Sequence, residues 1–344
     1  MLQEIKNKIN RSLHRILQNL DKTYGLRRIS PFLFKNLKQF ITRDGKRLRP
    51  VLFSLSYLGF SKKPAHHYMT CALSLELLHD FIIIHDDIID KAGLRRGKPS
   101  LHIIFEKYLS MFRHAKFNGK DFSLIAGDLM YSLGLRCFLS IEEHPLRKQK
   151  ALFRLVDGAI RTGSGQLAEL LLSLKPLDSV KKKDIYRVYD LKTAYYTFYL
   201  PLVLGAILSG QKVTPSMEKC GLMLGRAFQI KDDIIDIFGK ENKTGKSSLS
   251  DIRESKRTLL VWSAYRQSSA ASRKSITKIL CKEKPDKKDL EKIKDIIVSS
   301  GSLEKAKKEI IDFRKQAKKL IRSFRMKKEI KGTLSLYCEE LLRI

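Results

Sequence analysis

Six aspartates fall into two groups of identical spacing. Asp86, Asp87 and Asp90 close the stretch "LLHDFIIIHDDIID" at 77–90, and Asp232, Asp233 and Asp236 recur in "FQIKDDIIDIFG" at 228–239. On a helix, positions i and i+4 stack on one face and i+1 lies alongside. Like charges at that spacing destabilise an isolated helix by roughly 0.2–0.5 kcal/mol per pair. The apolar run before each group raises that cost by excluding water. One such group could be a solvated helix end. The same spacing twice points instead to bound divalent cations. Mg2+ takes hard oxygen ligands, usually one or two carboxylates completed by water and phosphate oxygens. All six aspartates are therefore candidate metal ligands.

Basic residues flank both groups. "GKRLRP" at 45–50 carries Lys46 and Arg49 three apart; Arg95 and Arg96 follow the first group in a glycine-containing loop. Lys192 and Thr193 lie in "DLKTAYY", and Lys246 lies in "NKTGKSS" after the second group. Arginine suits bidentate contact with phosphate, and lysine supplies a mobile point charge. Any one of these alone reads as a surface charge. Beside the aspartate helices they read as an anion site. Metals, basic groups and an apolar wall continuous with the first aspartate helix together match an amphiphile with a diphosphate head and a hydrocarbon tail.

The elements that must hold these residues are helical. "CALSLELLHDFIII", "LMYSLGLRCFLSI", "ALFRLVDGAI" and "GQLAELLLSL" carry apolar residues at three- and four-residue spacing, and no region alternates like a strand. Several of these stretches are apolar nearly all round, as interior helices are. With 344 residues, only 9 prolines and 19 glycines, and no tether-like stretch, the chain reads as one large all-α domain over 1–344. Its last part, from about 269, is strongly basic and amphipathic. The excess of 68 Lys+Arg over 36 Asp+Glu suits an anionic partner. Five scattered cysteines without a C-x-x-C pair read as reduced, mostly buried thiols of a cytoplasmic protein. The N-terminus lacks the apolar core of a secretory signal, and "FYLPLVLGAILSG" at 198–210 is shorter than a membrane span and reads as a buried helix.

Over roughly 40–260 the sequence resembles the trans-isoprenyl diphosphate (polyprenyl) synthase family. The likeness rests on "GKRLRP", "ELLHDFIIIHDDIIDKAGLRRGKPS", "LIAGDLM", "GQLAEL", "DLKTAYY", "GRAFQIKDDIIDIFG" and "GKSSLSDIRESKRTLL", in the family's order. The resemblance implies a helical bundle around a central cavity, usually a homodimer, and head-to-tail condensation of isopentenyl diphosphate with an allylic diphosphate. It implies three Mg2+ ions held by Asp86, Asp90 and Asp232 with their neighbours. By the same resemblance, Lys46, Arg49, His79 and Arg96 would bind isopentenyl diphosphate. Arg95, Lys192, Thr193, Gln229 and Lys246 would contact the allylic diphosphate, with Lys192 and the aspartates Asp86, Asp87, Asp90, Asp232 and Asp233 acting in catalysis.

Bulky residues just upstream of the first aspartates limit product length in this family. Phe81 and Ile82 hold those places, which implies C20 over C15 products. A longer segment at 101–122, Leu249 in place of a common glycine and Leu260 in place of a common proline depart from the pattern; none is a ligand. A class I terpene cyclase would lack the second intact aspartate motif and the GKR-type motif. A non-catalytic subunit of a heteromeric synthase would lose aspartates or basic ligands. A nucleic-acid binder would account for the charge but not for six clustered aspartates. The basic C-terminal helices read first as solvated faces, with peripheral attraction to anionic lipid as the sharper alternative.

Overall fold

The computed structural model describes residues 1–65, 68–239 and 249–344; Lys246 lies outside them. The described residues are all-α apart from one two-stranded hairpin, as the periodicity predicts. The chain packs into two compact units, Met1–Ser54 with Lys63–His144, and Leu55–Lys62 with Pro145–Ile344.

In the first unit, α1 (Leu2–Tyr24) buries Ile5, Ile9, Leu13, Leu17 and Leu20, a single stripe at helical spacing. It stops at Gly25, which adopts φ 63°, a left-handed C-terminal cap that glycine takes without steric cost. The short α2 (Leu26–Ile29) leads to α3 (Pro31–Ile41), which opens on a Ser30 side chain accepting from the Leu33 amide. The helix α4 (Leu48–Phe60) begins in this unit. α5 (Tyr68–Ile89) is buried over nearly all of 71–78 and packs chiefly on α7 (Gly119–Leu139). Between them lie the hairpin β1 (Leu94–Arg95) and β2 (Lys98–Pro99) and the helix α6 (Leu101–Leu109). The long 101–122 segment closes as an aromatic cluster. Tyr108 stacks on Phe32 at 3.9 Å between ring centroids, and Phe105 and Phe117 both pack on Phe122.

In the second unit, α8 (Pro145–Ser173) precedes a continuous helical rod. The rod runs as α9 (Lys182–Tyr189), a ten-residue π-helical stretch (Asp190–Tyr199) and α10 (Leu200–Leu208). The apolar run at 198–210 is thus the end of a longer rod. Lys182–Leu208 has the length and apolar character of a membrane span, but 89% of its most apolar window is buried inside the protein. α11 (Pro215–Phe238) carries the second aspartate group and packs on the π-helical stretch. After α12 (Ser250–Arg253), α13 (Leu259–Gln267), α14 (Ala270–Leu280) and α15 (Lys287–Ser299) come α16 (Ser302–Arg322) and α17 (Lys328–Leu341). The basic α16 keeps Ala306, Ile310, Ala317 and Ile321 on its buried face and lies against α11. Its lysines line the opposite face, and its apolar stripe supports the helix that holds the aspartates. Leu249 and Leu260 are both buried, so the two departures from the family pattern serve as packing residues. Of the five cysteines, all but Cys281 are buried.

One buried ion pair fixes the segment before α4. Arg47 has a left-handed backbone, φ 47°. Its guanidinium meets Glu76 of α5 at 2.5 Å, with both side chains 1% exposed. The same guanidinium donates to Asn10 Oδ1 and to the carbonyls of Ile41 and Arg43. Arg47→Met keeps the backbone preference and removes the charge, leaving Glu76 buried without its partner. Urea denaturation should show a loss of about 3–5 kcal/mol; a loss under 1 kcal/mol would mean the pair anchors nothing.

Candidate active site

The first acidic group ends α5, and its three carboxylates are not equivalent. Asp87 is 2% exposed and is held by Arg95, whose Nε donates to Asp87 Oδ1 at 2.7 Å. The same guanidinium reaches Asp86 Oδ2 at 3.2 Å. Burial alone would lower the Arg95 guanidinium, but Asp87 and Asp86 outweigh it and hold it above its ordinary value. Asp86 and Asp90 are half-buried. The inner aspartate is thus a buried tie, in which Asp86 shares the same arginine. Arg95, read from sequence as a diphosphate ligand, already meets two carboxylates.

The GKR segment and the hairpin come together in the same unit. Arg43 donates to the carbonyls of Pro99 and Arg95 at 3.0 and 3.4 Å, stapling the hairpin to the segment before α4. Arg96 turns back with φ 55°, and its Nη1 reaches the Arg43 carbonyl. A Cβ at Gly45 would stand 3.0 Å from the Arg96 guanidinium, so the glycine of "GKR" leaves the space that Arg96 occupies. Lys46 is exposed on this segment, and Arg49 is half-buried at the start of α4. His79 lies among Arg49, Arg96, Arg95 and Arg47; burial first, then these charges, hold its imidazole well below the usual range. A neutral imidazole beside four guanidiniums offers one N–H to an anion without adding to the repulsion.

Asp80, which sequence reading did not single out, is 1% exposed, and neither of its carboxyl oxygens has a hydrogen-bond partner among the described residues. Burial and the nearby Glu76 push it upward, against the pull of Arg96, Arg47 and Arg49. Phe81 and Ile82 are half-buried. Phe81 packs on Tyr131 of α7 at 5.1 Å between centroids, so the aromatic upstream of the aspartates has a partner on a neighbouring helix.

The second acidic group repeats the division. Asp233 is 2% exposed, and Asp232 and Asp236 are half-buried. Gln229 donates to Asp233 Oδ1 at 3.0 Å, Tyr189 donates its phenol to Oδ2, and Thr193 donates to Gln229 Oε1 at 2.6 Å. Lys192 donates to Glu169 Oε2 at 2.5 Å. Its backbone comes so close to α8 that a Cβ at Gly165 would fall 2.4 Å from the Lys192 nitrogen. Lys192 and Thr193 sit on the π-helical stretch, where the widened turn changes which side chains share a face; such turns occur often at functional sites. Burial, then Asp251, pushes the Asp233 carboxyl up, and the phenol and amide donors draw it back. Glu169 stands three residues after Gln166 in "GQLAEL", a signal that the sequence did contain. Tyr189 left none.

The donor set fits hard divalent cations. Each group offers outer carboxylates on a solvent-accessible face beside an inner one already committed to the protein. Among the described residues, no three acidic, His or Cys side chains converge into a closed cage. Mg2+ rarely uses such a cage; it retains waters and borrows phosphate oxygens.

A family profile described as polyprenyl synthetase matches residues 30–297. A geranylfarnesyl diphosphate synthase from Aeropyrum pernix is 29% identical over 283 residues, covering 77% of this chain and 79% of its own. A short chain isoprenyl diphosphate synthase from Methanothermobacter thermautotrophicus is 30% identical over 251 residues, covering 72% of this chain and 71% of its own. Among solved structures, a geranylgeranyl pyrophosphate synthase from Corynebacterium glutamicum, complexed with isoprenyl diphosphate and magnesium, has the same fold. Its TM-score is 0.91 at 23% identity, covering 100% of this chain and 99% of that one.

The environment of His79 sets a pH dependence. Its folded value is depressed, so below about pH 6.5 the unfolded chain binds a proton that the folded chain refuses. The stability linked to His79 is complete above that pH and is lost as the pH falls. The melting temperature of the wild type should therefore fall relative to that of His79→Gln between pH 7 and 5. Parallel curves would show that His79 titrates normally.

Proposed function

The chain belongs to the polyprenyl synthetase family and is a trans-prenyltransferase; we propose that it condenses isopentenyl diphosphate with an allylic diphosphate in a Mg2+-dependent reaction, giving a C20 or C15 trans-prenyl diphosphate. The observation that carries this reading is the matched division of the two acidic groups. In each, the middle carboxylate is buried on protein donors and its two neighbours are half-buried, Asp86 sharing Arg95 with Asp87. Asp86 and Asp90 in one group, and Asp232 and Asp236 in the other, would each hold Mg2+, which would supply the positive charge that lets diphosphate leave.

The chain's own residues do the rest. Lys46, Arg49, Arg96 and the neutral His79 orient the diphosphate of isopentenyl diphosphate. Lys192, aimed by Glu169, and Thr193, aimed by Gln229, meet the allylic diphosphate and stabilise the charge that develops on it. The apolar face of α5 ahead of the aspartates lines the tail and excludes water, so that the double bond and not a water molecule attacks the allylic cation. Phe81, backed by Tyr131, limits that tail. The product then loses a proton to the departing pyrophosphate, the nearest base.

A homodimer is supported by α8. Leu146, Phe153, Ile160 and Leu167 recur every seven residues and are 58–68% exposed. A seven-residue apolar repeat on a long helix suits a left-handed seam against a second helix. A second copy of the chain brings the same repeat.

Purified protein with Mg2+, isopentenyl diphosphate and C5, C10 or C15 primers should yield trans products of C15–C20. EDTA should abolish turnover, and Asp86→Asn should lower kcat by at least ~10²-fold. Phe81→Ala should extend the products beyond C20. No elongation with any primer would refute the reading, and an unchanged product from Phe81→Ala would remove its limiting role. Light scattering on a size-exclusion column should give a dimer for the wild type and a monomer for Phe153→Glu; a monomeric wild type would refute the seam.

A further inference from the structure

We propose that Tyr189 is a positioning residue for divalent cation at the second acidic group, acting through Asp233. The proposal rests on the reading above that the chain is a Mg2+-dependent prenyltransferase, and goes beyond it in naming what aims the metal-binding face.

Tyr189 is the last residue of α9, just before the π-helical stretch, and is 5% exposed. Its phenol oxygen has two partners of different origin. It donates to Asp233 Oδ2 on α11, and it accepts from the Leu259 amide, at 2.8 Å, at the start of α13. The other Asp233 oxygen accepts from Gln229, which accepts in turn from Thr193. One continuous path therefore joins Thr193, Gln229, Asp233, Tyr189 and Leu259. It spans the π-helical stretch, the aspartate helix and the segment that follows Lys256. Lys256 itself pairs with Glu254 at 2.9 Å and with Asp251 at 3.5 Å.

Consider what these bonds fix. Asp232 and Asp236 share a helix face one turn apart, and Asp233 lies about 100° round from Asp232. Each Asp233 oxygen receives one neutral donor, and the two donors come from different helices. The carboxylate can neither rotate nor turn outward without giving one up. Holding it inward fixes the roll of the last turn of α11, and so the direction in which Asp232 and Asp236 face. The first acidic group does the same work with a charge, since Arg95 holds Asp87. The second uses neutral donors. That arrangement depends on the phenol hydroxyl: Gln229 alone satisfies one oxygen and leaves the other in a dry site.

Tyr189→Phe keeps the ring and its edge contact with Tyr186 and deletes only the hydroxyl. The Mg2+ concentration for half-maximal turnover should rise about tenfold, as for other partners of metal-ligand groups. The KM for isopentenyl diphosphate should stay within about twofold. Independently of turnover, the rise in melting temperature produced by Mg2+ with inorganic pyrophosphate should shrink in the variant. Asp233→Asn combined with Tyr189→Phe should shift the Mg2+ requirement by less than the product of the single effects, because both act on one contact. A lower melting temperature with unchanged Mg2+ requirement and unchanged pyrophosphate response would assign Tyr189 a packing role only and overturn the proposal, as would multiplicative effects in the double variant. A wild type that fails to elongate any primer would refute the parent reading, whereas an active wild type with a Tyr189→Phe variant of unaltered Mg2+ response would refute this inference alone.

Discussion

Charged groups at the ends of apolar helices must be neutralised, and the remainder of this structure follows from that constraint. A buried carboxylate without a donor costs several kcal/mol, more than any propensity or cap can return. Each unit solves the problem by splitting its three aspartates. The middle one turns inward to donors supplied by the protein, and the outer two are half-buried. Asp87 takes Arg95, and Asp233 takes Tyr189 and Gln229. The split separates the work of holding the helix in register from the work of holding metal.

The arginines face the mirror of this constraint. Arg43, Arg47, Arg49, Arg95 and Arg96 belong to one unit, and an anion site needs them close together before any anion arrives. Arg47 is settled by Glu76 and by backbone carbonyls, and Arg43 by carbonyls of the hairpin. Arg95 is settled by carboxylates. Glu76 thus acts as a resident counter-charge beneath the basic set. Preorganisation of this kind lets a site stabilise developing charge without moving when it appears. Its cost is carried by the fold, which is why these groups sit on the long, well-packed α5 and not on a loop.

Much of this was legible in the sequence, and what was hidden had a physical reason. The all-α class followed from apolar periodicity, and the aspartate and GKR positions followed from spacing. The inequality within each aspartate group did not. Spacing places Asp87 and Asp233 beside their neighbours, but only packing decides which carboxylate meets a donor. Nor did spacing show that Arg95 meets carboxylates eight and nine residues back on α5, beside a hairpin whose turn holds Arg96 and Gly97 in left-handed conformations. Tyr189 left no signal, since a hydroxyl that bridges two helices leaves no periodic trace. The π-helical stretch was invisible for the same reason. Nothing in "DLKTAYYTFY" distinguishes a widened turn from an ordinary one.

The length of the hydrocarbon tail obeys the same logic of support from a neighbour. A single aromatic on α5 stops a growing chain only if it cannot swing aside. Phe81 is backed by the Tyr131 ring on α7, the helix on which α5 chiefly packs. It also meets His85 edge-on, one turn closer to the aspartates. An aromatic held on both sides is a stiffer stop than an unsupported ring. If Phe81 limits the tail as proposed, the limiting element is the Phe81–Tyr131 pair, and its firmness depends on the same α5–α7 packing that presents the first aspartates.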